Sequence, residues 1–236
     1  MEVLTADVAD LTLSRACVAC GDIGSVLCLA CEVSLIRVHR HEIRRWETLP
    51  SHQQAGARPV VVASTYDGAA KRVIIAHKEH GVLGLTPVLG SMLAVSIAAL
   101  GEGPFVVVPI PPHRDAIRRR GIDTLGAIAD RATGELRAAG WCAHVVPALC
   151  RRADGGRHVG RSAQERSAAV QGTMAIDARV ISRLAPGAGL IVVDDVVTTG
   201  ATVWEAVRTL RASGLAVEGI AAVAGTERPA APGRVN

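Results

Sequence analysis

The sequence predicts an α/β protein built on a doubly wound parallel sheet, preceded by a small cysteine-rich module. Short runs of Val, Ile and Ala alternate with segments whose apolar residues recur at helical spacing, which is typical of parallel strands joined by helices. One run ends in two aspartates and a turn of small residues, as strands do where open α/β sheets bind ligands. Four closely spaced cysteines near the N-terminus predict the separate module.

Length and composition bound the organisation of the chain. Its 236 residues, 49% of them hydrophobic, can form one main core and a small appendage. We predict an N-terminal cysteine-rich region at 1–46, a linker at 47–58, a main domain at 59–225 with a hood at about 59–100, and a disordered tail at 226–236. The longest apolar stretch is too short to span a membrane, and the first residues lack a signal-peptide pattern. We therefore expect a cytoplasmic protein without membrane insertion.

The basic residues are clustered although the net charge is only +4. Segments 37–45, 113–120 and 151–158 concentrate arginine and histidine. Such clusters suit phosphate, pyrophosphate or nucleic acid, and a solvated arginine-rich surface is the alternative.

The cysteines form two Cys-x-x-Cys pairs, Cys17 with Cys20 and Cys28 with Cys31. Each pair can form a knuckle that offers two thiolates to one tetrahedral Zn²⁺. Because four thiolates leave no open position for a substrate, the predicted role of the ion is structural. An iron–sulfur cluster with the same ligands is one alternative, and disulfides are another, which the missing signal peptide argues against.

The segments from 59 to 112 predict the first part of the sheet. Apolar residues recur at helical spacing after a turn at Tyr66, and they are Ala70, Val73, Ile74 and His77. A second helix is predicted at 87–100, and an apolar strand at 105–112. Pro109 and Pro111, which flank Ile110, stiffen the end of that strand.

Cations follow this rigid loop, beginning with Arg114, and such a loop can hold a pyrophosphate. An edge strand that enters a basic surface helix is the alternative. A further strand is predicted at 141–149, directly before Arg151 and Arg152. The basic, glycine-rich segment 153–166 then predicts a mobile flap that closes over an anionic substrate.

The run 190–193 predicts a buried strand, with Asp194 and Asp195 at its carboxyl end. Small and hydroxylic residues then open a helix, where backbone N–H groups can cradle a phosphate: Val196, Val197, Thr198, Thr199, Gly200, Ala201 and Thr202. Because carboxylates repel phosphate, their expected partners are ribose hydroxyls, or Mg²⁺, on the same ligand. The alternative is an ordinary strand-to-helix turn whose aspartates cap the helix. A helix at 202–213 and a strand at 216–224 complete the predicted sheet.

The run 190–202 resembles the PRPP-binding signature of type I phosphoribosyltransferases. Together with the cysteine pairs, the stretch 66–78, Val-Pro-Ile-Pro before Arg-Arg-Gly-Ile-Asp, and Gln-Glu-Arg at 164–166, it resembles the ComF family over most of residues 17–224. The resemblance implies a phosphoribosyltransferase-type sheet with an N-terminal zinc ribbon. It implies that Asp194 and Asp195 bind the ribose 2′ and 3′ hydroxyls, that 198–202 cradle the 5′-phosphate, and that 109–114 form the pyrophosphate loop.

The implied activity is a Mg²⁺-dependent transfer of phosphoribosyl from PRPP to an unknown acceptor, with release of pyrophosphate. Arg114, Arg151 and Arg152 are the candidates that neutralise the leaving group. Two stretches, 120–124 and 167–170, lack polar amides of the family pattern, which raises a PRPP sensor without turnover as one alternative. Another alternative is a PRPP-dependent competence factor for DNA uptake, with single-stranded DNA and DNA-uptake proteins as partners. Since aromatic residues are scarce, strand binding would be electrostatic and sensitive to salt.

Overall fold

The computed structural model describes residues 16–41, 44–46, 59–113, 115, 117–118, 121–152, 172–180 and 189–226. The predicted linker, the predicted flap, Arg114 and all but the first residue of the predicted tail lie outside the described residues. No helix in the described ranges is both long enough and apolar enough to cross a membrane.

The main sheet has six strands, five of them parallel. The described strands are β1 Arg44–Trp46, β2 Val60–Thr65, β3 Phe105–Pro109, β4 Ala143–Val145, β5 Leu149–Arg151, β6 Met174–Ile176, β7 Gly189–Val197 and β8 Val217–Gly225. The sheet has the order β1-β2-β8-β7-β3-β4, in which β1 pairs antiparallel with β2 and every other neighbouring pair is parallel. Strands β5 and β6 form a separate antiparallel pair. The predicted α/β class with a parallel sheet is confirmed.

Helices cover both faces of this sheet. They are α1 Leu29–His41, α2 Gly68–His80, α3 Thr86–Ala98, α4 Thr124–Ala138 and α5 Ala201–Ala212. Buried residues of α2, α3 and α4 pack with Val107 on one face, whereas α5 packs with Val106 and Val108 on the other. Because successive side chains of a strand point to opposite faces and both faces are buried, the strands are apolar almost throughout.

Two predicted strands have different limits in the structure. Strand β7 runs through both aspartates to Val197, because β8 continues to pair with it up to Gly225. Its pairing with β3 ends earlier, at Val193. The predicted strand 141–149 is instead divided into β4 and β5, which separate around Pro147, a residue that cannot donate a backbone hydrogen bond.

The cysteine-rich region packs directly on the main domain. Cys17, Ala19 and Leu35 belong to the same buried cluster as the residues of α2 and α3. The side chain of Arg72 on α2 donates from Nε and Nη2 to the carbonyl of Ala19, at 3.0 and 2.6 Å. The first cysteine pair is therefore tied to the helix that follows β2.

Candidate functional site

The winding of the sheet changes direction between β3 and β7. From β3 the chain passes through α4 on one face to β4, and from β7 it passes through α5 on the other face to β8. Neighbouring strands whose following segments go to opposite faces leave a crevice at their carboxyl ends. The structure has a cleft of about 560 Å³ at this point.

Five parts of the chain line the cleft. They are the turn and helix after β2, the proline loop after β3, the start of α4, Arg151 on β5, and the end of β7 with the turn that follows it. The residues that carry the argument below are Lys78, Ile110, Pro111, Asp123, Arg151, Asp194, Asp195, Thr198 and Thr202. The cleft thus brings the predicted acid pair, the proline loop and the small-residue turn together.

The acid pair consists of Asp194, which is half-buried, and Asp195, which is only 6% exposed. The backbone N–H of Asp195 donates to Oδ1 of Asp194 at 2.9 Å. Burial, followed by the charge of Asp195, raises the pKa of Asp194 well above its ordinary value. The pair therefore needs cations or hydrogen-bond donors to balance it.

Lys78 supplies one such cation from α2. Its Nζ lies 2.6 Å from Oδ2 of Asp195. Burial alone would lower the pKa of Lys78, but the charge and hydrogen bond of Asp195 more than offset that effect, so the pKa is raised. Lys78 is therefore charged at neutral pH. Helical periodicity places Lys78 off the apolar stripe but does not indicate that it meets an aspartate.

Arg151 supplies the second cation. Its Nε donates to the carbonyl of Pro111 at 3.0 Å, which joins β5 to the proline loop. Burial lowers the pKa of Arg151, and the negative charge of Asp194 opposes that shift. Arg152 is exposed and is not among the described residues that line the cleft, because neighbouring side chains of an extended segment point in opposite directions. The role of Arg152 stays a prediction.

The proline loop is held against the acid-bearing strand. Pro109 ends β3, and the N–H of Ile110 donates to the carbonyl of Val193 at 3.0 Å. Ile110 and Pro111 then line the cleft, as predicted, whereas Arg114 lies outside the described residues.

The turn after β7 presents the start of α5 to the cleft. Gly200 has φ of 78°, a left-handed conformation that favours glycine, and α5 begins directly after it at Ala201. The N-cap residue Gly200 has no side chain that could cap the helix, and the first turn of the helix has no acidic residue. Thr198 and Thr202 line the cleft, and Oγ1 of Thr199 accepts from the N–H of Ala201 at 3.4 Å. Backbone N–H groups at a helix start, beside hydroxyls, are suited to a phosphate.

The remaining predicted residues of this turn have structural positions. Val197 is buried in the core on the α5 side of the sheet. Val196 is half-buried and lines the cleft. Ala201 is nearly buried at the helix start. The side chain of Val197 therefore packs in the core and holds the turn in place, and it does not face a ligand.

Two polar residues, Asp123 in the cleft and Glu205 on α5, have no role in the sequence interpretation. Asp123 is the N-cap of α4, and its Oδ1 accepts from the N–H of Gly126 at 2.9 Å. Glu205 on α5 is 5% exposed, and its Oε1 accepts from the N–H groups of Gly172 and Met174 at 2.8 and 3.4 Å. It also pairs with Arg208, whose Nε lies 2.7 Å from Oε2. Glu205 thus fixes β6, the strand that pairs with the strand of Arg151.

A second candidate site is the cysteine cluster. The sulfur atoms of Cys17, Cys20, Cys28 and Cys31 all lie within 4.8 Å of one another. Gly21, after the first pair, has φ of 89°, and its N–H donates to the carbonyl of Cys17 at 2.8 Å, which closes the knuckle. The four cysteines could hold a metal ion such as zinc.

The thiols of this cluster perturb each other strongly. Burial would raise the pKa of Cys17, but backbone N–H groups, that of Cys28 first, lower it to about 6. The neighbouring thiols, that of Cys28 first, raise the pKa of Cys31 to about 12. Four thiolates at such short separations repel each other, so a bound cation is the natural way for all four to ionise.

Neither a scan against protein-family models nor a search of curated proteins finds a match to this chain.

Proposed function

We propose that the protein binds PRPP in this cleft and transfers its phosphoribosyl group to an acceptor, as a phosphoribosyltransferase-like protein of the ComF type. The observation that carries the proposal is the short stretch of chain from the acid pair to the start of α5, at the point where the sheet changes its winding. The acid pair therefore offers hydrogen-bond acceptors for hydroxyls, and the start of α5, a few residues later, offers donors for a phosphate. A sugar phosphate carries both of these groups on one molecule.

Each part of the cleft has a distinct role in this proposal. The carboxylates of Asp194 and Asp195 accept hydrogen bonds from the ribose 2′ and 3′ hydroxyls. Thr198 and Thr202, with the backbone N–H groups at the start of α5, bind the 5′-phosphate. The proline loop and Arg151 face the diphosphate on C1.

The reaction breaks the bond between C1 and the diphosphate oxygen, and the electron pair leaves with pyrophosphate. The acceptor nitrogen or other nucleophile forms the new bond to C1. Positive charge develops on the ribose ring, and negative charge develops on the leaving group. Arg151 stabilises the leaving group, while the anchored proline loop holds it in place.

Mg²⁺ fits the donors of this cleft, because carboxylate and phosphate oxygens are the ligands that it prefers. When bound, it would supply further positive charge to the diphosphate. The carboxylates of Asp194 and Asp195 are the protein groups that would hold it. In the cysteine cluster we propose Zn²⁺ in a structural role, since thiolates are soft ligands and four of them close the coordination shell.

The test is calorimetric titration with PRPP and Mg²⁺ of the wild type and of the Asp194→Asn, Asp195→Asn double variant. We expect the wild type to bind and the double variant to lose binding while keeping its circular dichroism spectrum. Asp130→Asn, an exposed change on α4, is the matched control and keeps wild-type affinity. Unchanged affinity in the double variant would contradict the assignment of the cleft.

Turnover and DNA uptake need separate measurements. Pyrophosphate release in the presence of base and amine acceptors distinguishes a transferase from a PRPP sensor. The competence alternative, with single-stranded DNA as the partner, stays a prediction. It requires strand binding that weakens steeply with salt and that depends on PRPP.

A further inference from the structure

An ion pair connects helix α2 to the acid pair at the end of β7. Lys78 lies near the C-terminal end of α2, and its Nζ contacts Oδ2 of Asp195 at 2.6 Å. The side chain of Asp195 is 9% exposed and that of Lys78 is 40% exposed, so the contact lies at the inner edge of the cleft. The same carboxylate is the proposed acceptor for a ribose hydroxyl.

Two cations balance the charge of the acid pair. The charge of Asp194 acts on both Arg151 and Lys78, and Lys78 also contacts Asp195 directly. An anionic sugar phosphate that approaches two unbalanced carboxylates is repelled by both of them. With Lys78 in place, one of these two negative charges is offset within the protein.

The residue type at this position is unusual for the chain. The sequence has 24 arginines and only two lysines, Lys71 and Lys78, both of which lie on α2. A guanidinium tends to bind a carboxylate through two parallel hydrogen bonds and so occupies both oxygens. A compact ammonium contacts one oxygen, which here is Oδ2 of Asp195, and does not require the second oxygen.

We propose that Lys78 is the positioning residue of the acid pair. It fixes the carboxylate of Asp195 for a ribose hydroxyl, and it offsets one negative charge so that a polyanionic ligand can enter the cleft. This inference rests on the proposed function, because it assumes that the ligand of the cleft is a sugar phosphate.

The test compares Lys78→Met, Lys78→Arg and Lys71→Met by calorimetric titration with PRPP and Mg²⁺ and with ribose 5-phosphate, each at low and high salt. Lys78→Met is expected to weaken PRPP binding about tenfold, as loss of one partner of a partly desolvated charge pair does. The loss is expected to be smaller for ribose 5-phosphate, which carries less negative charge, and smaller at high salt. Lys78→Arg, which keeps the charge, recovers part of the affinity.

Lys71→Met is the matched control, because Lys71 is a lysine on the same helix. Its Nζ lies 5.8 Å from the ring centroid of Tyr66, whereas that of Lys78 contacts an aspartate. It is expected to bind both ligands as the wild type does. Equal loss of the two ligands in Lys78→Met, independent of salt, would indicate a purely structural role and overturn the inference. So would wild-type PRPP affinity in Lys78→Met.

The outcomes separate this inference from the proposed function. If the wild type binds neither PRPP nor ribose 5-phosphate, the proposed function fails first. If the wild type binds PRPP and Lys78→Met does so equally, only the role of Lys78 fails. Should Lys78→Met lose its circular dichroism spectrum, Lys78→Arg decides alone: a salt-independent loss that is equal for both ligands overturns the inference.

Discussion

The cysteine cluster and the acid cleft both gather groups of like charge, but they balance that charge in different ways. In the cleft, protein cations balance the acids: Lys78 contacts Asp195, and Arg151 lines the same cleft, where the charge of Asp194 acts on it. In the cluster, backbone N–H groups lower the pKa of Cys17 to about 6, whereas the neighbouring thiols raise the pKa of Cys31 to about 12. The cleft is thus balanced from within, whereas the cluster needs an ion to complete it.

The two sites also differ in how the chain assembles them. The cluster comes from one short stretch, in which an isolated bridge between Ala16 and Ile23 closes the first knuckle and the N–H of Cys28 in the second knuckle donates to Sγ of Cys17. The cleft needs five separate parts of the chain and exists only when the sheet is complete. A local site depends on its ligand for order, whereas a site made by the whole sheet depends on the core.

The largest effect expected from this difference follows from Cys17→Ser. Cys17 is 3% exposed and its Sγ accepts from the N–H of Cys28 at 3.4 Å, so its loss removes both a ligand and a buried contact. A structural zinc contributes on the order of 10 kcal/mol to folding of small zinc modules. We expect the variant to retain less zinc than the wild type and to unfold at least about 10 °C lower.

Zinc content and thermal unfolding, measured on the same samples, check this prediction. Cys142→Ser is the control, because Cys142 is an exposed cysteine outside the cluster. It should keep the zinc content and the unfolding temperature of the wild type. A Cys17→Ser protein with full zinc and unchanged unfolding temperature would show that the four cysteines do not act as one site.

The sequence allows the cluster and the fold class to be predicted because both depend on short-range patterns. The spacing of Cys17, Cys20, Cys28 and Cys31 is enough to bring four thiols together, and the structure confirms that proximity. Period and composition likewise predict α2, whose buried residues include Ala70, Val73, Ile74 and His77. These signals need no knowledge of which strands become neighbours.

The parts of the cleft that the sequence does not reveal depend on long-range packing. Helical periodicity shows that Lys78 lies off the apolar face, but only the order of the strands brings it to Asp195. The predicted strand 190–193 is shorter than β7 for the same reason, since pairing with β8 extends β7 past both acids. The rarity of lysine in a chain with many arginines is the one sequence signal that points to Lys78.

Glu205→Gln tests a third charged group that is balanced from within, and we expect an intermediate effect. The carboxylate accepts from two backbone N–H groups and pairs with Arg208, so its neutralisation leaves buried partners poorly satisfied. Hydrogen bonds to charged groups contribute about 1.5–3 kcal/mol, and the half-exposed Arg208 favours the lower end of that range. The free energy of unfolding by guanidinium chloride measures the loss.

The pH dependence of this loss has a definite sign. Burial would raise the pKa of Glu205, but Arg208 and the backbone donors outweigh burial and lower it below the ordinary value of 4.5. A carboxylate with a lowered pKa stabilises the fold above its ordinary pKa, and that contribution is lost as the pH falls through the folded pKa. The wild type and Glu205→Gln should therefore differ at pH 7 and converge at acid pH. Glu102→Gln, an exposed control, should show no difference at either pH.

Arg72→Met is expected to have the smallest effect, and it tests the connection between the two regions. Arg72 is exposed, but its two bonds to the carbonyl of Ala19 join the first knuckle to α2, the helix that carries Lys78. Their loss should cost about 1 kcal/mol, which lowers the unfolding temperature by about 2–4 °C. Zinc content should stay at the wild-type level, because the four thiols bind the ion without Arg72.

Arg211→Met, an exposed change at the end of α5, is the control and should leave both quantities unchanged. If Arg72→Met loses zinc, the cluster depends on the main domain for its ligand geometry, and its description as a locally assembled site is wrong.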